Sequence, residues 1–160
     1  MNYPDRDDWI DNAPDDARGR LVHLVRRLAF AYSDRVSRSA AQLGLHPTDL
    51  RALALVLDAG RSREPLTVGA LGATLRMNQP TVTAIVDRLV DHTLVERRPV
   101  PGDRRKVALA ITEKGRQTGW SAFGSLVQDM HSQLSDVPTH DLETAEIVLG
   151  LALTAFEDVL

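Results

Sequence analysis

The sequence contains no cysteine and few aromatic residues among its 160 positions. Without cysteine, the chain can form no disulfide, thiolate metal site or thiol redox sensor. Because aromatic residues make up only 4% of the sequence, its core must be mainly aliphatic. No apolar run approaches the ~18 residues of a membrane span. The acidic residues 1–9 also lack the pattern of a signal peptide. We therefore expect a single-domain cytoplasmic protein with no membrane partner.

The net charge of −3 conceals a strong asymmetry along the chain. Residues 21–75 include seven basic and four acidic side chains, and residues 76–116 include nine basic and five acidic ones. By contrast, residues 1–20 have six acids against three arginines, and residues 117–160 have seven acids and no Lys or Arg. Because polyanion binding depends on the local patch, the basic centre is compatible with a nucleic-acid partner. A solvated charged surface is the alternative.

Helix start and stop signals recur through the first half of the chain. A long helix is predicted from Asp15 or Asp16 to about Leu43, followed by one at 47–59 and a short one at 68–75. The long helix has an apolar stripe formed by Leu21, Leu24, Leu28, Tyr32, Val36 and Leu43.

A fourth helix is predicted from Asn78, a good N-cap, to His92. Pro80 falls in its first turn, where the missing N–H does no harm. Its inner face is lined by Val82, Ile85, Val86 and Leu89. Polar side chains near its start are left to face outward, where they can reach base edges in a major groove.

A short hairpin with a basic tip is predicted after this helix. Val107, Leu109 and Ile111 alternate, as in a strand with one buried face. Pro101 and Gly102 match the central pair of a type II turn. A thin hairpin that carries guanidinium groups can reach a minor groove, whose negative potential attracts arginine. The order of elements therefore predicts a winged helix-turn-helix. A basic surface turn that arises by chance is the alternative.

Two amphipathic helices are predicted to close the chain. Their apolar seams are Trp120, Phe123, Val127, Met130, Leu134 and Val137, then Leu142, Ala145, Leu149, Ala152, Phe156 and Val159. The last helix also carries Ile147, Val148, Leu151 and Leu153, so it is apolar over most of its circumference. Such a helix favours a dimer interface over a purely intramolecular core, which is the alternative.

These features resemble the MarR family of winged-helix transcriptional regulators. The resemblance rests on the wing pattern Asp103, Arg105, Leu109, Ile111, Thr112 and Gly115, and on the stretch "NQPTVTAIVDRLVDHTLVERR". It implies a mainly α fold with a small β-hairpin wing. Residues 46–115 would form the DNA-binding lobe, and residues 1–45 and 116–160 the dimerisation helices of a homodimer on a palindromic operator.

The candidate DNA-binding residues lie on the fourth helix and the hairpin. They are Asn78, Gln79, Pro80, Thr81, Thr83, Arg88, Arg98, Asp103, Arg104 and Arg105. By the resemblance, Arg104 and Arg105 are the wing contacts, and Asp103 braces Arg105. Two positions depart from the family pattern: Thr93 stands where Gly is usual, and Gly72 stands where Ala is preferred.

Other chemistry is weakly supported by the sequence. The histidines, His23, His46, His92, His131 and His140, form no i+3 or i+4 pair, so we predict no metal and no cofactor. No catalytic motif is evident, and we predict that the protein is not an enzyme. A dimeric protein-interaction module of the same fold, without sequence-specific DNA binding, is the alternative function.

A small aromatic or anionic effector is implied by the resemblance. The long first helix near Tyr32, the helix at 47–59 and the region around Trp120 could approach one another to form its cleft. Candidate partners for a carboxylate are Arg26, Arg27 and Arg51.

Overall fold

The structure, a computed structural model, describes residues 16–60, 66–100 and 103–157; for residues 103–105 and 157 it describes the backbone. Within these ranges the chain forms six helices and a two-stranded antiparallel hairpin, which confirms the predicted fold class. The elements are α1 (Ala17–Leu43), α2 (Pro47–Ala59), α3 (Val68–Leu75), α4 (Gln79–Asp91), β1 (Val95–Val100), β2 (Asp103–Ile111), α5 (Glu113–Gln133) and α6 (Thr139–Glu157).

Local capping chemistry explains where the first helices begin and end. Asp16 Oδ1 accepts a 2.8 Å hydrogen bond from the N–H of Gly19, which is the bond of an N-cap. The alternative cap, Asp15, lies outside the described residues. Gly44 follows α1 with a φ of +68°, a conformation that glycine adopts without steric cost. At the start of α2, His46 Nδ1 accepts from the N–H of Thr48, and Pro47 occupies the first turn.

The chain divides into two compact units. One contains the described residues up to Asp34 and from Asp136 onward, and the other runs from Arg35 to Ser135. The larger unit contains the predicted lobe at 46–115 together with an aliphatic core. Its largest fully buried side chains are Leu50, Leu53, Leu71, Ile85, Leu89, Val36, Val56, Val82, Val86 and Val95. The predicted inner face of α4 is therefore confirmed.

The hairpin differs from the prediction on one side of β2. Leu109 is buried and Ile111 is half-buried, but Val107 is 37% exposed, so its predicted place on a buried face is wrong. Nearer the root of the hairpin, β2 pairs with a segment from a distant part of the chain. The N–H of Leu109 donates to Leu66 O at 2.8 Å, and Thr67 forms a bridge with Ala108. Val107 lies past this segment, toward the tip of the hairpin, where its partner Pro99 is also exposed.

Candidate nucleic-acid interface

The start of α4 is an exposed, capped helix N-terminus. Asn78 Oδ1 accepts from the N–H of Thr81 at 3.0 Å and from its hydroxyl at 2.7 Å. The side chains of Gln79, Pro80 and Thr83 are also exposed. The helix dipole favours negative charge at this end, and the side chains of the first turns are the ones that reach base edges. The predicted cap is therefore confirmed, and the predicted readers lie on the surface.

A tight turn joins α3 to α4. Arg76 ends α3 in a left-handed conformation with a φ of 53°, and its N–H donates to Ala73 O. The N–H of Met77 donates to Gly72 O, which satisfies a second carbonyl at the helix end. Gly72 is buried against α4, and a Cβ placed on it would lie only 3.2 Å from Val82 Cγ2. Glycine at this departure from the family pattern thus permits a close approach of the two helices.

The two halves of α4 differ in charge on their exposed face. Its first half presents Gln79, Pro80 and Thr83, whereas its second half presents the charged residues Asp87, Arg88 and Asp91. Asp87 Oδ1 accepts a 2.6 Å hydrogen bond from Arg97 Nη2 of β1, so this carboxylate ties α4 to the hairpin. Because phosphates repel carboxylates, the uncharged first half is the part suited to contact DNA.

Arg88, one of the predicted DNA contacts, is bound to a carboxylate of another helix. Its Nε donates to Asp49 Oδ2 at 2.8 Å and its Nη2 donates to Asp49 Oδ1 at 2.6 Å. The Asp49 side chain is 4% exposed, whereas that of Arg88 is 47% exposed. The hydrogen bonds to Asp49 raise the pKa of the Arg88 guanidinium above its ordinary value, although desolvation opposes this. The pair borders a cleft of about 470 Å³ between α4 and the start of α2.

The wing strands diverge from a regular ladder near the tip. Pro99 pairs with Val107 and Val100 pairs with Asp103, so one step along β1 corresponds to four along β2. Arg98, a predicted contact, is exposed on β1 and is paired with Glu96. The predicted turn at Pro101 and Gly102 lies outside the described residues, as do the side chains of Asp103, Arg104 and Arg105. Their predicted roles stay predictions.

The Thr and Gly of the wing pattern join the hairpin, α4 and α5. The Thr112 hydroxyl lies 2.7 Å from Thr93 O and 3.0 Å from Leu94 O, and it accepts from the N–H of Gly115 as the N-cap of α5. A Cβ on Gly115 would lie 2.1 Å from Leu94 O, so only glycine fits there. Lys114 Nζ donates to His92 O at 2.9 Å, which satisfies a carbonyl at the end of α4.

The sequence did not indicate that Asp49 pairs with Arg88 or that Asp87 pairs with Arg97. From the sequence, Asp49 is an acidic residue in the first turn of α2, a position that the helix dipole already favours. Its partner is 39 residues away in the sequence, so no local spacing indicated the pair. The order of α4 and β1 alone could have suggested that Asp87 and Arg97 meet.

The described residues offer neither a metal site nor a membrane-spanning helix. They contain no group of three His, Cys, Asp or Glu side chains that could hold a metal ion. None of the helices over the described ranges combines the length and the apolarity that a membrane crossing requires.

An exposed capped helix after a tight turn, followed by a basic hairpin, defines the class of winged helix-turn-helix DNA-binding proteins. A model of the MarR family matches residues 43–106. The multiple antibiotic resistance protein MarR of Escherichia coli is 31% identical over 137 residues, which are 84% of this chain and 90% of that protein. The chain therefore belongs to the MarR family, as its sequence pattern predicted.

Further similarities agree with this assignment. The HTH-type transcriptional repressor NicR of Pseudomonas putida is 31% identical over 106 residues, 66% of this chain and 65% of that protein. The crystal structure of the S. aureus MepR–DNA complex has a TM-score of 0.61 at 15% identity, covering 84% of this chain and 95% of that one. This likeness shows the fold. Family membership makes the chain a DNA-binding transcriptional regulator rather than an enzyme, which confirms both predictions.

Proposed function

We propose that this regulator is a homodimeric repressor that binds a palindromic operator and is released by a small organic effector. The proposal depends on one observation: a single compact unit presents both candidate DNA-contacting elements, the start of α4 and the basic hairpin. The uncharged first turns of α4 are exposed, and the Asp87–Arg97 ion pair fixes the basic hairpin to the same helix. This arrangement suits simultaneous contact with a major groove and the neighbouring minor groove.

Base reading is assigned to the first turns of α4. Gln79 and Thr83 present amide and hydroxyl groups, and Thr81 keeps acceptor capacity although its hydroxyl donates to Asn78. Replacement of Gln79 or Thr83 by Ala is expected to alter the preferred bases at single operator positions. The expected loss is ~1–3 kcal/mol for each well-placed bidentate contact.

The homodimer is supported by apolar side chains that the single chain leaves exposed. The exposed fraction is 60% for Trp120 and 69% for Leu151. Other exposed apolar side chains lie on α1, α5 and α6: Leu24, Leu28, Phe30, Val127, Met130, Ile147, Leu149, Leu153 and Phe156. Apolar surface on this scale usually marks an interaction site. A two-fold dimer presents two copies of α4, and an inverted repeat is the DNA symmetry that matches it.

Repression follows from the mode of binding. A dimer that covers operator DNA within a promoter excludes RNA polymerase by occupancy, with no activating contact required. The similarity to NicR, which is named as a repressor, supports the same direction.

The effector is proposed to be a small, mostly apolar, anionic organic molecule. Oxidant sensing through thiol chemistry is excluded because the sequence contains no cysteine. Tyr32 and Trp120, predicted near the effector, are both exposed in the single chain. Operator affinity measured against a panel of aromatic acids, and separately with peroxide and zinc, tests this step. A response to zinc or peroxide alone would contradict it.

Selection from a pool of random-sequence DNA duplexes tests the core of the proposal. We expect enrichment of an inverted repeat whose half-sites lie about one helical turn, or ~10 base pairs, apart. The Gln79→Ala variant should select a motif altered at one symmetric pair of positions. If the unaltered protein enriched no sequence at fixed salt, the result would favour the alternative of a protein-interaction module.

A further inference from the structure

We infer that Asp49, a buried residue of α2, is a positioning residue for sequence reading, because its double hydrogen bond with Arg88 sets the rotation of α4. The inference rests on the proposed function. It also gives Arg88 a different role from the predicted DNA contact, since its guanidinium is directed toward α2.

The geometry of the pair restricts motion more than a single hydrogen bond would. Nε and Nη2 of Arg88 meet the two oxygens of Asp49 in a planar fork, which fixes both distance and orientation. If Arg88 turned toward a phosphate, a carboxylate with only 4% of its side chain exposed would lose its charged partner. Such an uncompensated buried charge is strongly unfavourable. Arg88 is therefore held in place.

A second ion pair restrains α4 on a different flank. Asp87 and Arg88 are adjacent, so their side chains leave the helix about 100° apart. Asp87 is held by Arg97 of β1, and Arg88 is held by Asp49 of α2. The two pairs together oppose rotation of α4 about its own axis in either direction.

Small rotations of this helix matter for base reading. With side chains, an α-helix has a radius of about 5–6 Å, so a rotation of about 10° moves a side-chain tip by about 1 Å. A displacement of that size takes a hydrogen bond outside its normal range of about 2.7–3.2 Å. Gln79 and Thr83, which lie on the same rigid helix as Arg88, would shift with it. Loss of the fork should therefore reduce sequence discrimination while leaving phosphate contacts largely in place.

The test compares two variants that break the fork in different ways. Asp49→Asn removes the buried charge, and Arg88→Lys keeps the positive charge but loses the fork. Affinity is measured for the selected operator duplex and for a scrambled duplex of the same composition, over a range of salt concentrations. Asp58→Asn, on the exposed part of α2, and Arg116→Lys, on exposed α5, are the matched controls.

We expect both fork variants to lose about 10-fold or more of the preference for the operator, equivalent to one well-placed base contact. Their salt slopes and their affinities for the scrambled duplex should match those of the controls. If Arg88 bound a phosphate instead, Arg88→Lys would bind both duplexes like the unaltered protein, and Asp49→Asn would keep its discrimination. Either result would overturn the inference.

A measurement without DNA separates this inference from the proposed function. Residual dipolar couplings of backbone amides report the orientation of α4 relative to α2 in the folded protein. We expect a reorientation of α4 in Asp49→Asn and none in Asp58→Asn. If the unaltered protein showed no preference among duplexes, the proposed function would be refuted. An unchanged orientation of α4 in Asp49→Asn would by itself refute the positioning role of Asp49.

Discussion

At the scale of single residues, Thr93 adopts a backbone conformation that its side chain disfavours. Its φ is 58°, in the left-handed region, which costs a β-branched residue roughly 1–2 kcal/mol. The turn is retained because Thr112 donates to Thr93 O and the N–H of Leu94 donates to Leu89 O. The departure from the family pattern at this position is therefore accommodated by strain and not by a different helix end.

Replacing Thr93 with Gly should stabilise the protein by about 1 kcal/mol, because glycine adopts a positive φ without steric cost. The free energy of unfolding in urea, measured at one fixed protein concentration, checks this. Thr93→Val is the control: it keeps the branched Cβ and loses the hydroxyl bond to His92 O, so it should not stabilise. A Thr93→Gly protein no more stable than the original would show that the turn is unstrained.

Two glycines at helix starts should respond to alanine in opposite directions. In Gly115→Ala the new Cβ would meet the backbone oxygen of Leu94 at 2.1 Å, and we expect a loss of about 2 kcal/mol. At Gly69 the nearest atom is Thr67 Oγ1 at 3.9 Å, and alanine should add about 0.5 kcal/mol. Thermal unfolding of both variants gives the comparison. Equal effects would contradict the close approach of α5 to Leu94.

The roles of single residues could be predicted from the sequence where neighbouring residues in the chain determine them. The cap at Asn78 follows from the residue type and the few positions after it, and it is present. The pairing of Arg88 with Asp49 was not predictable in this way. Arg88 was predicted as a DNA contact, which stays a prediction, and only the tertiary fold brings Asp49 within 2.6 Å of it.

At the scale of elements, the wing extends its basic residues away from the body of the lobe. From Ile111 at its root to Asp103 near its tip, β2 lies beside five steps of β1, from Val95 to Val100, which is roughly 17 Å. The start of α5 follows the root of the hairpin, so Arg116 lies at the opposite end of the hairpin from the basic residues near the tip. This separation gives a way to test the wing by charge alone.

Arg105→Ala should weaken binding to every DNA duplex and reduce the slope of log affinity against log salt by about one. The cause is the loss of one phosphate or groove contact that carries no sequence information. Arg116→Ala removes the same charge at the root of the hairpin and should change neither quantity appreciably. An Arg105→Ala protein with the original affinity and slope would refute the wing as a DNA contact.

The elements themselves were predicted well because periodicity, capping residues and turn residues are short-range signals. The short helix at 68–75 and the capped α4 appear with the expected bounds. The error at Val107 has a long-range cause. Burial along the predicted face ends where β2 extends past its neighbours in the lobe, which include Leu66 and Thr67, more than 40 residues earlier in the sequence. Alternation within a strand carries no information about such a neighbour.

At the scale of the whole molecule, the larger unit is the part of the single chain with a dense core. Its buried side chains form one aliphatic cluster between Val36 and Ala122. The helix α6, in the other unit, is apolar in composition, yet its large side chains are exposed, including Leu149 and Phe156. A helix of this kind requires a second apolar surface, and in a homodimer the partner supplies it.

The unaltered protein should therefore be a dimer at micromolar concentration, and Leu149→Asp with Phe156→Asp should abolish that state. Each aspartate would place a charge in the proposed apolar interface, where desolvation opposes it. Sedimentation should show a monomer or an aggregate for the double variant. Thr154→Asp, at an exposed polar position on the same helix, is the first control, and it should remain dimeric if Thr154 lies outside the interface. The second control is Glu143→Gln, near the start of α6. A well-folded monomer of the unaltered protein would refute the dimer, and with it the expectation of a palindromic operator.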